Sequence, residues 1–202
     1  MKLYYSPGAC SMSPHIVLRE AGLAFDLEKV DLGTKKTAAG ADFNMVNPKG
    51  YVPALQLDDG SVLTEGPAIV QYLADMAPAA RLAPANGTVE RARLQEWLNF
   101  ITAELHKGMG SLFSKDMPEA WRETVRKRLA QRLDYVEKQL AGRQFVLGGQ
   151  FTVADAYLWT ILSWGRYVGV DIAKWANVKA YFDRVGARPS VQAALKAEGL
   201  AT

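Results

Sequence analysis

Three groups of residues in this chain have types and spacings suited to chemistry. The first is Cys10, the single cysteine among 202 residues. It follows the break Ser6-Pro7-Gly8 and precedes a helical pattern that opens near Ser11 to Pro14, with Ser11 and Ser13 as candidate caps. A thiol at a helix start faces unpaired backbone N–H groups and the positive end of the helix dipole, and both favour the thiolate. Ser13 stands where a dithiol oxidoreductase carries its second cysteine, so Cys10 has no resolving partner in the chain. Any disulfide it forms is with an arriving molecule. The bland alternative, a small buried hydrophobe, is weaker at a turn between strand and helix.

The second group is Glu65-Gly66 at the start of another helical pattern. Backbone N–H groups there can receive a carboxylate while Glu65 accepts from an amine. The competing explanation is that an acidic residue in a first turn simply favours the dipole. The third group is a stripe of Asn99, Ala103, His106 and Gly110 at steps of four, three and four, with Lys107 beside it. Such a stripe can line a groove in which His106 exchanges a proton with a thiol; the alternative is a surface or hydrogen-bonded core histidine. His15, inside the first helix, is the weaker candidate of the two histidines.

The elements that must position these groups follow from local pattern. Leu3-Tyr4-Tyr5 reads as a strand, Ser11 to Ala21 as a helix and Phe25 to Asp31 as a second strand, which makes a parallel βαβ unit. Gly33 to Asn47 reads as loop with a short helix. Gly50 to Leu57 reads as a strand entered through Pro53, which cannot donate to a ladder. Asp58-Asp59-Gly60 is a hairpin turn leading into Ser61 to Thr64, and a helix follows from Glu65. The order β-α-β, loop/helix, β-β-α is that of a thioredoxin-like module. Ala77 to Gly87, with two prolines and a glycine, reads as a linker. The boundaries are thus 1–77, a linker at 78–87, and an all-α domain at 88–202. In that domain one helix is expected over Thr88 to Met109 and another over Pro118 to Leu140. Thr152-Val153-Ala154-Asp155 reads as a capping box opening a third, and shorter helices follow near Val178 to Val185 and Ser190 to Lys196.

Composition excludes several classes. The net charge of +3 is too small to argue for nucleic acid, and Arg122, Arg126, Lys127, Arg128 and Arg132 read as a solvated helix face. No apolar run approaches the ~20 residues of a membrane span, and no secretory signal is evident. One cysteine and two histidines supply no standard zinc site, so no metal is expected. Phosphate-binding glycine loops and nucleophile elbows are missing. A single cysteine suits a reducing compartment, and cytoplasm is the expected location.

Taken together, the chain resembles a cytosolic glutathione transferase and, within that group, the bacterial beta class. The resemblance rests on Tyr5-Ser6-Pro7-Gly8-Ala9-Cys10, on Asn47-Pro48-Lys49-Gly50-Tyr51-Val52-Pro53-Ala54-Leu55, and on Glu65-Gly66-Pro67-Ala68-Ile69-Val70-Gln71-Tyr72-Leu73. Asn99, His106-Lys107 and Phe151 to Ala156 extend it through the second half. It implies an enzyme that conjugates glutathione to small hydrophobic electrophiles, with thiol–disulfide activity through a Cys10 mixed disulfide left open. A glutaredoxin-like reductase and a non-enzymatic binding relative are the alternatives on the same scaffold. It further implies a homodimer with glutathione as co-substrate, no other cofactor, and a glutathione cleft at the domain boundary. Carried over residue by residue, Cys10 lies beside the glutathione sulfur, Val52 offers its backbone, and Pro53 is cis behind it. Glu65 and the Gly66 N–H hold the γ-glutamyl end, and Lys35 reaches the glycyl carboxylate. Asn99 and the turn Ala103, Glu104, Leu105, His106 and Lys107 close the site, partly from the partner subunit. The departure is Gly66, where the family usually carries Ser; the backbone donor survives and a hydroxyl is lost. Tyr5 and Ser11, catalytic types of other classes, are second choices to Cys10.

Overall fold

The computed structural model describes residues 1–200; the last two positions of the expected helical domain lie outside the described residues. The chain opens on β1 (Lys2–Tyr5), followed by α1 (Met12–Glu20) and β2 (Asp26–Asp31). A two-residue β3 (Lys36–Thr37) and a 3₁₀ turn (Phe43–Met45) occupy the stretch expected as loop with a short helix. Then come β4 (Ala54–Gln56), β5 (Val62–Thr64) and α2 (Gly66–Met76). The strands form one mixed sheet in the order β3-β2-β1-β4-β5. β1 runs parallel to β2, as a helical crossover requires, and antiparallel to β4. This is the thioredoxin-like arrangement of β-α-β followed by β-β-α.

Register decides what the sheet presents at its ends. Tyr4 pairs with Ala54, and Ala54 pairs with Thr64. The segment leaving β1, the segment entering β4 and the segment leaving β5 therefore emerge at one end of the sheet. Those segments carry Cys10, Val52-Pro53 and Glu65-Gly66. Leu3, Ile16, Val17, Leu18, Leu55, Ile69, Val70 and Leu73 are fully buried and hold the sheet to α1 and α2.

The remainder is helical: α3 (Val89–Phe100), a π-helical segment (Ile101–His106), α4 (Lys107–Ser111), α5 (Glu119–Leu140), α6 (Val153–Leu162), α7 (Gly165–Val168), α8 (Ala176–Gly186) and α9 (Pro189–Ala197). All ten residues of α6 are buried, so it is the central helix of this part. Its start is the expected capping box, with Asp155 accepting from the Thr152 N–H at 2.8 Å. The continuous helix expected over Thr88 to Met109 is instead α3, a widened turn and α4. No glycine or proline before Gly108 marks the change. At Gly108 the chain runs so close to α5 that a Cβ would stand 2.8 Å from Leu129 Cδ2.

The division into units also differs from the expected boundary. One compact unit is Met1–Ala83 together with the chain from Arg188, and the other is Pro84–Ala187. The expected 88–202 domain thus loses α9, which returns to the first unit. Side-chain pairing explains it: Arg188 grips the Glu20 carboxylate at 2.6 and 2.9 Å, and Ser190 donates to the same group. Glu198, just past α9, accepts from the buried His15 at 2.8 Å.

Candidate functional site

Cys10 lies on the turn between β1 and α1 and is partly exposed. Its thiol donates to the Val52 carbonyl at 3.2 Å, which ties the cysteine loop to the residues entering β4. The Val52–Pro53 peptide is cis. The loop is fixed on its other side as well. Gly8, at a φ of +70° that suits glycine, donates its N–H to Glu198 at 2.9 Å.

Two local details differ from the sequence reading. Ser11 does not cap α1: its hydroxyl accepts from the Ser6 N–H at 3.2 Å and closes the cysteine loop instead. Nor does Cys10 face only bare N–H groups, because Met12 N–H is bonded to Ala9 and Ser13 N–H to Cys10's own carbonyl. The helix begins as a tight 3₁₀ turn, which uses up first-turn donors. What the helix offers the thiol is its dipole. Tyr5 is the poorer candidate, since burial, followed by the Glu198 and Glu28 charges, pushes its phenol above the usual range.

Glu65 precedes α2 with a φ of +70°, an unusual conformation for a side chain of its size. Its carboxylate accepts from Lys49 Nζ at 2.5 Å and from the Tyr51 hydroxyl at 2.9 Å. Hydrogen bonding to Glu65 raises both partners, Lys49 as an ammonium and Tyr51 as a neutral phenol. Thr64 contributes by accepting from the same ammonium at 3.0 Å. Lys35, also at positive φ, sends its ammonium to the Gly50 carbonyl at 2.7 Å. Thus Lys35, Lys49, Tyr51, Val52, Glu65 and Cys10 are linked through the loop that enters β4. A Cβ at Gly66 would meet only Pro53 Cγ at 3.8 Å, an ordinary contact.

In the second unit, His106 ends the π-helical segment. Its Nδ1 lies 2.6 Å from the Tyr157 hydroxyl of α6, and its ring stands edge-on to Trp164 at 4.9 Å between centroids. π turns inside helices frequently mark functional positions. The widened turn means that Asn99, Ala103, His106 and Gly110 do not form the regular α-helical stripe their spacing suggests. Asn99, Ala103 and Lys107 are exposed, whereas Leu105 is fully buried. Glu104 is held by Arg132 Nε at 2.5 Å.

Sequence reasoning named Cys10, Val52, Pro53 and Glu65 as site residues, and the strand register brings them to one end of the sheet. It missed Lys49 and Tyr51 as partners of Glu65, although both lie inside a motif it quoted. Tyr157 and Trp164 around His106 and the pair His15–Glu198 carried no local signal. Among the described residues, no cluster of three or more His, Cys, Asp or Glu could hold a metal. No helix there is long and apolar enough to cross a membrane.

A thioredoxin-like sheet with one thiol, a proline-entered strand and an acidic helix start, continued by a helical unit, defines a class of thiol-handling proteins. Two domain families match this chain: "Glutathione S-transferase, N-terminal domain" over residues 8–76 and "Glutathione S-transferase, C-terminal domain" over residues 119–184. Glutathione S-transferase GstA of Escherichia coli O157:H7 is 48% identical over 200 residues, covering 99% of this chain and all of that one. A sphingomonad glutathione S-transferase solved in complex with glutathione superposes with a TM-score of 0.95 at 49% identity, with both chains fully covered. A bacterial beta class enzyme from Sphingomonas chungbukensis gives 0.96 at 48% identity, also over both full lengths. The chain belongs to the glutathione S-transferase family, within its bacterial beta class.

Proposed function

We propose that the protein conjugates glutathione to small hydrophobic electrophiles and forms a mixed disulfide with glutathione through Cys10. The observation that carries this reading is the bond from Cys10 Sγ to the Val52 carbonyl, at the sheet end shared with Glu65. In this reading the Val52 backbone pairs with the cysteinyl part of glutathione and brings its sulfur beside Cys10. Glu65 receives the γ-glutamyl ammonium, exchanging part of its Lys49 and Tyr51 bonding, and the Gly66 N–H takes the adjacent carboxylate. Lys35 takes the glycyl carboxylate. Asn99, Lys107 and the backbone from Ala103 to Leu105 are assigned to the same ligand. His106 donates to the glutathione thiolate, which favours the charged nucleophile.

Conjugation forms a sulfur–carbon bond while the leaving group departs with the electron pair of the bond it breaks. Mixed-disulfide formation is separate: the Cys10 thiolate attacks glutathione disulfide, a sulfur–sulfur bond forms, and one glutathione leaves as thiolate. With Ser13 in the resolving position, the reaction stops there. A dithiol-type reductase is disfavoured for the same reason. Glutathione serves as co-substrate, with no resident cofactor, and the reduced single cysteine suits the cytoplasm. A homodimer is part of the proposal; Tyr72 and Met76, one turn apart on α2, together with Met45 at 83% exposure, are apolar surface that a second copy would cover.

The test pairs two variants. Cys10→Ala should abolish the glutathione adduct seen by mass spectrometry after treatment with glutathione disulfide, and should spare conjugation of a nitro-activated aryl chloride. His106→Ala should do the reverse. Equal loss of both activities in both variants overturns the division of roles. Lack of conjugation by the unaltered protein overturns the reading itself.

A further inference from the structure

His106 does not stand alone in its unit. Tyr157 is almost fully buried in α6, and its hydroxyl lies 2.6 Å from His106 Nδ1. Thr102, one turn earlier on the π-helical segment, donates to the Leu98 carbonyl at 2.8 Å and leans on the Tyr157 oxygen at 3.3 Å. The imidazole faces a phenol on one side and the Trp164 ring on another. A neutral imidazole has one N–H and one lone pair, so whichever partner settles Nδ1 also settles Nε2.

The geometry assigns the direction of that bond. The Thr102 hydroxyl is directed at the Tyr157 oxygen at 3.3 Å, so that oxygen accepts and the phenol's own proton is the one facing Nδ1 at 2.6 Å. Tyr157 therefore donates to Nδ1, and its oxygen, as acceptor, takes the second share of the Thr102 proton. We propose that Tyr157, backed by Thr102, is a positioning residue that holds His106 as the Nε2–H tautomer and so turns its ring into a fixed donor. The consequence for chemistry rests on the assignment of His106 to the glutathione thiolate made above. A preset N–H aimed at developing or resting negative charge needs no reorganisation during reaction. The π turn contributes by carrying His106 and Thr102 on one widened turn, both against the same α6 side chain.

The tautomer is directly observable. The chain has two histidines, so ¹⁵N-histidine labelling gives two ring systems, and His106→Ala assigns them. His15 serves as an internal contrast, because Arg19 Nε–H donates to its Nε2 at 3.0 Å and leaves its proton on Nδ1 toward Glu198. The expected spectrum of the unaltered protein shows His106 with Nε2 protonated and Nδ1 as acceptor. A protonated Nδ1 on neutral His106 overturns the proposal, and this measurement needs no variant to fold. Tyr157→Phe keeps the ring and removes the donor. It should lower kcat for conjugation about tenfold, the order of one net hydrogen bond, leaving glutathione KM and the Cys10 adduct unchanged and shifting the Nδ1 signal. Thr102→Ser should behave as the unaltered protein and Thr102→Val should fall between. If His106→Ala conjugates normally, the thiolate assignment fails while the ¹⁵N result still decides the tautomer. If His106→Ala is impaired and Tyr157→Phe is not, the positioning role is refuted.

Discussion

Replacing Glu198 tests whether the C-terminal segment is part of the machinery that holds the cysteine loop. The residue is 6% exposed, and each carboxylate oxygen has its own donor: Oε1 takes His15 Nδ1–H at 2.8 Å and Oε2 takes Gly8 N–H at 2.9 Å. His15 is fully buried, and its other nitrogen is committed to Arg19. Glu198→Ala removes the acceptor from both donors, His15 in a fully buried position and Gly8 in a partly buried one. Each donor that loses its acceptor costs about 1–3 kcal/mol, so the two together cost about 2–5 kcal/mol. At about 2–4 °C per kcal/mol for a chain of this size, a 4 kcal/mol loss lowers Tm by roughly 8–16 °C. Glu198→Gln keeps one acceptor oxygen and turns an NH₂ toward the second donor, so it should lose about 1–3 kcal/mol. The double variant Glu198→Leu with His15→Leu removes both sides of the pair and should cost less than the sum of the two single changes. Their coupling is expected at about 1–3 kcal/mol. Urea unfolding of the unaltered protein, Glu198→Ala, Glu198→Gln and the single and double leucine variants, read by tryptophan fluorescence, provides the numbers. A Glu198→Ala protein within about 0.5 kcal/mol of the unaltered one, or strict additivity in the cycle, would refute the argument.

Other expectations follow from single contacts. Gly66→Ser has room, since its Cβ meets only Pro53 Cγ at 3.8 Å; the added hydroxyl should lower glutathione KM by about three- to tenfold, corresponding to one net hydrogen bond of about 1 kcal/mol. An unchanged or higher KM in steady-state kinetics would count against Gly66 lying at the γ-glutamyl carboxylate. Gly108→Ala puts a Cβ 2.8 Å from Leu129 Cδ2 and should destabilise by about 1–3 kcal/mol in thermal unfolding. Asp155 is fully buried, and burial outweighs its bonds from Val146, Thr152 and Tyr181 and raises its carboxyl from 3.8 to about 6. A raised folded-state value means its contribution is complete below the unfolded value and is lost as pH rises through about 6. Relative to Asp155→Asn, whose amide does not titrate, the unaltered protein should therefore lose about 2.4 kcal/mol of its advantage between pH 4 and pH 7. A difference independent of pH would show that the carboxyl is not raised.

Much of this protein was determined within short windows of sequence. Pro53 marks the start of β4, Asp58-Asp59-Gly60 the turn before β5, and Thr152 with Asp155 the start of α6, because prolines, turns and caps act on their immediate neighbours. Cys10 and Glu65 were legible as candidate site residues because each stands where a strand gives way to a helix. Tertiary structure decided the rest. Whether Ser11 caps a helix or closes a loop depends on Ser6 coming within reach. The π turn before His106 lies in a stretch without glycine or proline, and nothing local marks it. Lys49 and Tyr51 serve Glu65 only because β4 and β5 fold back as a hairpin. The largest departure, the return of α9 to the first unit, rests on pairs 168 and 183 residues apart, Glu20 with Arg188 and His15 with Glu198. Each partner alone is an ordinary polar residue on a helix or beyond its end. What makes the pair matter is its burial, a property of the packed chain that the two residues do not carry separately.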